Sequence, residues 1–127
     1  MVASTDQSYV RYMDQQLNNA LELHKRGDTK EALVEYEKIL KRDNPPVVSF
    51  LNAASIWRSD QKQELSISWL NKGLKLYPKE AGLWNNLGNC HLDKNKTILA
   101  ISSYRQALTY DPSLVDARIS LASCLRE

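Results

Sequence analysis

The chain is poor in residues that cross-link or interrupt a fold. Its 127 residues hold two cysteines, Cys90 and Cys124, too few for a disulfide framework, so a reducing, cytoplasmic setting is expected. Four glycines are scattered along it and cannot form a phosphate-cradling loop. No apolar run approaches the roughly 18 residues that a membrane-spanning helix needs, so no membrane insertion is expected. The opening MVASTDQS has neither the positive stretch nor the apolar core of a secretory signal. Neither charge sign dominates: 17 Lys and Arg face 15 Asp and Glu, a net charge of +2. That balance argues against the concentrated basic face of a nucleic-acid binder. Strand-like alternation is missing as well.

What the chain does have is apolar residues at spacings of three and four. Leu17, Ala20, Leu21 and Leu23 or His24 mark one helical face; Ala32, Leu33, Tyr36, Ile39 and Leu40 mark the next. Arg26-Gly27-Asp28-Thr29 separates them, with Gly27 suited to a left-handed helix end and Asp28 or Thr29 to capping the following helix. The second helix is expected to stop at Asp43-Asn44-Pro45-Pro46, because proline disfavours helical geometry in the residue before it. Further helices are expected near 47–59, 62–76, 81–93, 96–110 and 114–126. Pro78 and Pro112 lie 34 residues apart, as do Cys90 and Cys124, and Asn18, Asn52 and Asn86 form a series at the same interval. A fixed period of this size predicts an all-α repeat architecture.

The third unit carries Trp84, Leu87, Gly88, His91, Ala100, Tyr104, Ala107 and Pro112. This order of large and small residues resembles the tetratricopeptide repeat (TPR) family, with His91 where the family has an aromatic. The first unit fits through Ala20, Leu23, Gly27, Ala32, Tyr36 and Ile39, with Gln16 where a large apolar residue is usual. The second fits through Phe50, Ala53, Ala54, Trp57, Leu70, Gly73 and Pro78, with Ser66 in place of alanine. Leu121, Ala122 and Leu125 begin a fourth. The resemblance implies a right-handed superhelical stack of antiparallel helical hairpins, about seven helices in all. Its expected limits are a disordered tail or cloning remnant over 1–8, then a TPR domain over 9–127 with repeats at 13–46, 47–80 and 81–114 and a half repeat at 115–127. Small residues such as Gly88 and Ala54 would let helices cross closely, and Trp84, Phe50, Tyr36 and Tyr104 would fill the wider gaps.

A stack of this kind leaves the first helix of each hairpin lining a concave groove, which in TPR proteins commonly takes an extended peptide or a partner's helix. Asn18, Asn52 and Asn86 stand two residues after the Gln16, Phe50 and Trp84 positions, so they are expected on the groove side. An asparagine amide both donates and accepts, and can pair with a peptide backbone whatever its side chains. Asn85 and Asn89 would widen the polar patch, and Ser55, Arg58, Ser120 and Ser123 would line the same surface. The alternative is that these are solvated polar residues on helix surfaces. The series is similar to the asparagine ladder in the TPR superhelix of O-linked N-acetylglucosamine transferases, where repeated asparagines hold the acceptor protein's backbone. A carboxylate clamp of the cochaperone kind is not expected, because Leu17, Leu21, Gly82 and Asn86 stand where its basic and amide residues would be.

No residue asks for a catalytic, metal or cofactor role. Cys90 and His91 diverge by about 100° on a helix, and the buried thiols at repeated positions are expected to be packing groups. His24 and His91 are expected at a surface and in packing respectively. Trp57 and Trp84 fall at core positions, and Trp69 could face solvent or a partner. The mixed-charge runs at Glu35–Arg42 and Lys72–Glu80 read as solvated outer faces. The last helix carries Val115, Ile119, Leu121, Ala122 and Leu125 with no helix to follow, so either the chain is a fragment of a longer repeat protein or this face docks on a partner or a second copy. The expected function is a non-catalytic protein-interaction module, with a protein or peptide ligand in the groove. A substrate-recruiting N-terminal domain of a larger enzyme, such as a protein O-glycosyltransferase, and an assembly protein using the end of the stack are the alternatives.

Overall fold

The computed structural model describes residues 7–126, which form seven α-helices: α1 (Gln7–Lys25), α2 (Thr29–Leu40), α3 (Val47–Ser59), α4 (Gln63–Leu76), α5 (Ala81–Asp93), α6 (Thr97–Tyr110) and α7 (Val115–Arg126). No strand occurs among the described residues. Most of the expected 1–8 tail lies outside them, and α1 already includes residues 7 and 8. The helices form an all-α stack of hairpins that divides into two compact units, Met1–Ser49 and Phe50–Glu127.

In the first unit α1 packs on α2, and Ala20, Ala32, Tyr36 and Ile39 are fully buried. Gln16, at the position where a large apolar residue was expected, accepts a hydrogen bond from Arg42 instead. The second helix ends at Leu40 rather than Asp43. The Lys41 and Arg42 N–H groups tighten onto carbonyls three residues back, so the helix closes on its own backbone before the prolines are reached.

The second unit places α5 between α4 and α6, with α7 on α6. Ala100, Tyr104, Ala107, Ala117 and Cys124 form a buried cluster, and the half-buried Trp84 and Leu121 pack on it. Gly88 is buried opposite Tyr104, and a Cβ there would sit 2.7 Å from the ring, so only glycine allows this crossing. Ser66, fully buried in α4, donates to the Ala54 carbonyl of α3 at 2.9 Å and accepts the Cys90 thiol of α5 at 3.3 Å. One hydroxyl thus links three helices, which explains a serine at an alanine position. Trp69 stacks on the buried Trp57 with centroids 6.1 Å apart and carries the Lys72 ammonium 4.0 Å above its ring.

The turn inside each hairpin repeats in detail. Gly27, Gln61 and Asn95, 34 residues apart, all have positive φ (88°, 66° and 59°). The following N–H groups of Asp28, Lys62 and Lys96 bond the carbonyls of Leu23, Trp57 and His91 at 2.9, 2.8 and 2.9 Å. This is the left-handed helix end that satisfies otherwise orphaned carbonyls. The expected side-chain cap at Asp28 is absent; its carboxylate pairs with Arg26 at 3.5 Å.

Candidate functional site

The amide-bearing helix α5 owes its orientation to its apolar side. Leu83, Leu87, Gly88 and Cys90 are buried, and this fixes Asn85, Asn86 and Asn89 on the half-buried remainder. Asn85 and Asn89 are one turn apart and share a face. Beside α5, Leu51 of α3 lies against Gly82 at its first turn. At the far end of the same pair, Arg58 of α3 holds Asp93 of α5 with two hydrogen bonds, of 2.6 and 3.0 Å. The two helices are therefore joined at both ends, with Asn52 half-buried and Ser55 exposed on α3 between those contacts. On α7, Ser120 is half-buried and Ser123 exposed. Asn18, in the other unit, is exposed on α1.

Hydrogen bonding gives this face a defined polarity. The buried Tyr104 hydroxyl lies 2.6 Å from the Asn89 Oδ1. Burial pushes the phenol up from its ordinary value, and Ser120 partly offsets this by favouring the anion; Tyr104 therefore keeps its proton at neutral pH. Asn85 buries its own Oδ1 with no protein partner. Two of the three amides on α5 thus turn their oxygens inward.

Charge is largely cancelled. The hydrogen bonds to Asp93 raise Arg58 above the ordinary guanidinium range, and those from Arg58 hold Asp93 below the usual carboxylate range. Gln63 reaches the same carboxylate at 3.5 Å, and Lys94 pairs with Glu64. Arg58, expected from the sequence to line the groove surface, ties α3 to α5 through Asp93. Its acceptor could have been suspected, because Asp93 stands one repeat plus one residue further along. The Tyr104–Asn89 contact had no such signal.

Burial shifts both the thiol and the imidazole of α5. Burial raises the Cys90 thiol above its ordinary value, with the hydrogen bond to Ser66 opposing, so the reactive thiolate is disfavoured. Burial, then Lys96 and Lys94, hold His91 below the usual imidazole value, and its Nδ1 is buried without a partner. His24, expected at the surface, is half-buried and bonded to the Tyr36 hydroxyl at 3.1 Å. Among the described residues no three His, Cys, Asp or Glu side chains converge on a metal position, and no helix is long and apolar enough to cross a membrane.

Residues 81–114 match the family model described as tetratricopeptide repeat. Among curated proteins, the general transcriptional corepressor ssn6 of Schizosaccharomyces pombe is 33% identical over 92 residues, 68% of this chain and 8% of that protein. The probable UDP-N-acetylglucosamine–peptide N-acetylglucosaminyltransferase SPINDLY of Solanum lycopersicum is 26% identical over 103 residues, 81% of this chain and 11% of that one. The chain thus spans about a tenth of the length of these relatives. Among solved structures, the first TPR of Spaghetti (RPAP3) bound to an HSP90 peptide superposes with a TM-score of 0.83 at 20% identity, covering 90% of both chains. The Yersinia enterocolitica secretion chaperone SycD, in complex with a peptide of the translocator YopD, gives 0.84 at 15% identity, covering 91% of this chain and 94% of that one. Repeat period, hairpin stack and comparisons agree: the chain belongs to the tetratricopeptide repeat family.

Proposed function

We propose that the chain is a non-catalytic protein-interaction module that holds an extended peptide by its backbone on the amide- and hydroxyl-bearing face of α3, α5 and α7. The observation that carries this reading is the pairing of polar abundance with charge cancellation. Asn52, Asn86 and Asn89 offer carboxamides, while Arg58, the cation among the expected groove residues, is held by Asp93. Such a surface suits neutral peptide groups better than an acidic terminus. Asn18 stands at the same repeat position in the other unit. Two relatives in fold are peptide complexes by their descriptions, which supports the same kind of ligand here. Buried, unpaired Cys90 and Cys124 suit a reducing, cytoplasmic setting.

Peptides selected from a displayed library against the intact chain would test this. Their affinity is expected to fall about tenfold or more in an Asn52→Ala/Asn86→Ala variant, as losing two backbone hydrogen bonds implies, with the helical circular-dichroism signal intact. Unchanged affinity in a folded variant would refute the ladder. A second reading, recruitment of substrates for a larger enzyme, is favoured by the match to SPINDLY over 81% of this chain. It uses the same face and differs in what the full reading frame encodes.

A further inference from the structure

Tyr104 sits at a position where the repeat needs only a large ring against Gly88, and phenylalanine would supply that. Its hydroxyl therefore calls for its own account. The 2.6 Å separation from Asn89 Oδ1 falls in the range of an O–H···O bond and below that typical of N–H···O. The phenol is accordingly the donor and the amide oxygen the acceptor. A carboxamide carries its oxygen and its NH2 on opposite edges. With the oxygen bound to a fully buried residue, the NH2 is on the edge turned away from the core.

We infer that Tyr104 is a positioning residue that fixes the Asn89 carboxamide as a one-way donor, so that this point of the face selects a carbonyl oxygen of the ligand over an N–H. An unrestrained asparagine could flip and serve either group, whereas the short O–H···O bond from the phenol favours the orientation with the amide oxygen inward. The inference rests on the peptide-binding reading above and adds the origin of its hydrogen-bond polarity.

The test uses the intact ¹⁵N-labelled chain and a capped alanine-rich octapeptide, titrated by NMR beside copies carrying one amide N-methylated or one amide replaced by an ester. For the wild type, weakening one particular carbonyl by ester replacement should reduce affinity about fivefold, the worth of one hydrogen bond, while N-methylation at Asn89's contact has little effect. Tyr104→Phe should keep the fold and erase that difference. Asn89→Asp, which still accepts from Tyr104 but has no NH2 to donate, should lose the same fivefold. Equal carbonyl preference in wild type and Tyr104→Phe would overturn the inference with peptide binding intact. Absence of any peptide-induced shift in the wild type would instead overturn the binding reading. The lock is then judged in the free protein, where an Asn89 side-chain amide unchanged by Tyr104→Phe would overturn it independently.

Discussion

The α1–α2 hairpin and the α5–α6 hairpin are built on one repeat and differ where it leaves room. Both bury a tyrosine at the same position, yet Tyr36 bonds His24 near the hairpin turn whereas Tyr104 bonds Asn89 in the middle of the amide face. The ring is a requirement of packing; the hydroxyl's partner varies between copies. Three further positions differ in the same way: Ala20 against Gly88, Leu23 against His91, and Gly27 against Asn95. In each pair one member meets the needs of the fold more simply, and exchanging members shows what the other is for.

The largest effect is expected at the first pair. Alanine is accommodated and fully buried in α1, but in α5 a Cβ would stand 2.7 and 2.8 Å from two Tyr104 ring carbons. Gly88→Leu should cost several kcal/mol, at or above the roughly 1–3 kcal/mol of ordinary overpacking, and Gly88→Ala should fall within that range. Urea denaturation measures both. An unchanged midpoint for Gly88→Leu would mean that the two helices do not cross at this glycine, and the repeat register of the third hairpin would fail with it.

The second pair separates the hairpins by pH. His91 is held below its ordinary value by burial and by Lys96 and Lys94. As pH falls, the unfolded chain takes up this proton first, so stability present above about pH 6.5 is lost as pH drops through the lower folded value. His91→Leu, which copies the residue of the first hairpin, should flatten the melting temperature between about pH 7 and 5 relative to wild type. A wild-type slope that persists in this variant would assign the dependence to other groups.

How much of this was legible follows from distance along the chain. The period of 34, the ends of α3 and α5 and the turn at Gly27 are local patterns, and they carried over into the structure. The early end of α2 was not legible, because prolines mark where a helix cannot continue and say nothing of where its backbone first closes on itself. Trp84 reads as a core residue by position but is half-buried. Ala122 stands one repeat after the buried Gly88 yet is exposed on α7. At the site, residue type and interval single out the amides of α3 and α5. Their polarity depends on Tyr104 and their charge balance on Asp93, contacts spanning 15 and 35 residues that no local pattern encodes.

The third pair yields the smallest change and the cleanest exchange. Gly27, Gln61 and Asn95 adopt the same left-handed turn, which costs most residues about 1–2 kcal/mol and asparagine less, because its short side chain tolerates this region. Glycine escapes that cost in the folded state but loses more freedom on folding, so the net gain from introducing it is smaller than the strain relieved. Gln61→Gly should therefore stabilise the chain by about 0.5–1 kcal/mol, Asn95→Gly by only a few tenths, and Gly27→Gln should cost about 1 kcal/mol. The ordering is the informative part: it requires the backbone, and not the side chains around it, to set the energy of all three turns. Gly27 has open space where a Cβ would stand, so a loss on Gly27→Gln would come from conformation alone. If chemical denaturation found Gln61→Gly neutral and Gly27→Gln costly, the second turn would be drawing compensation from contacts of its own, and the three turns would be alike in geometry but not in energy.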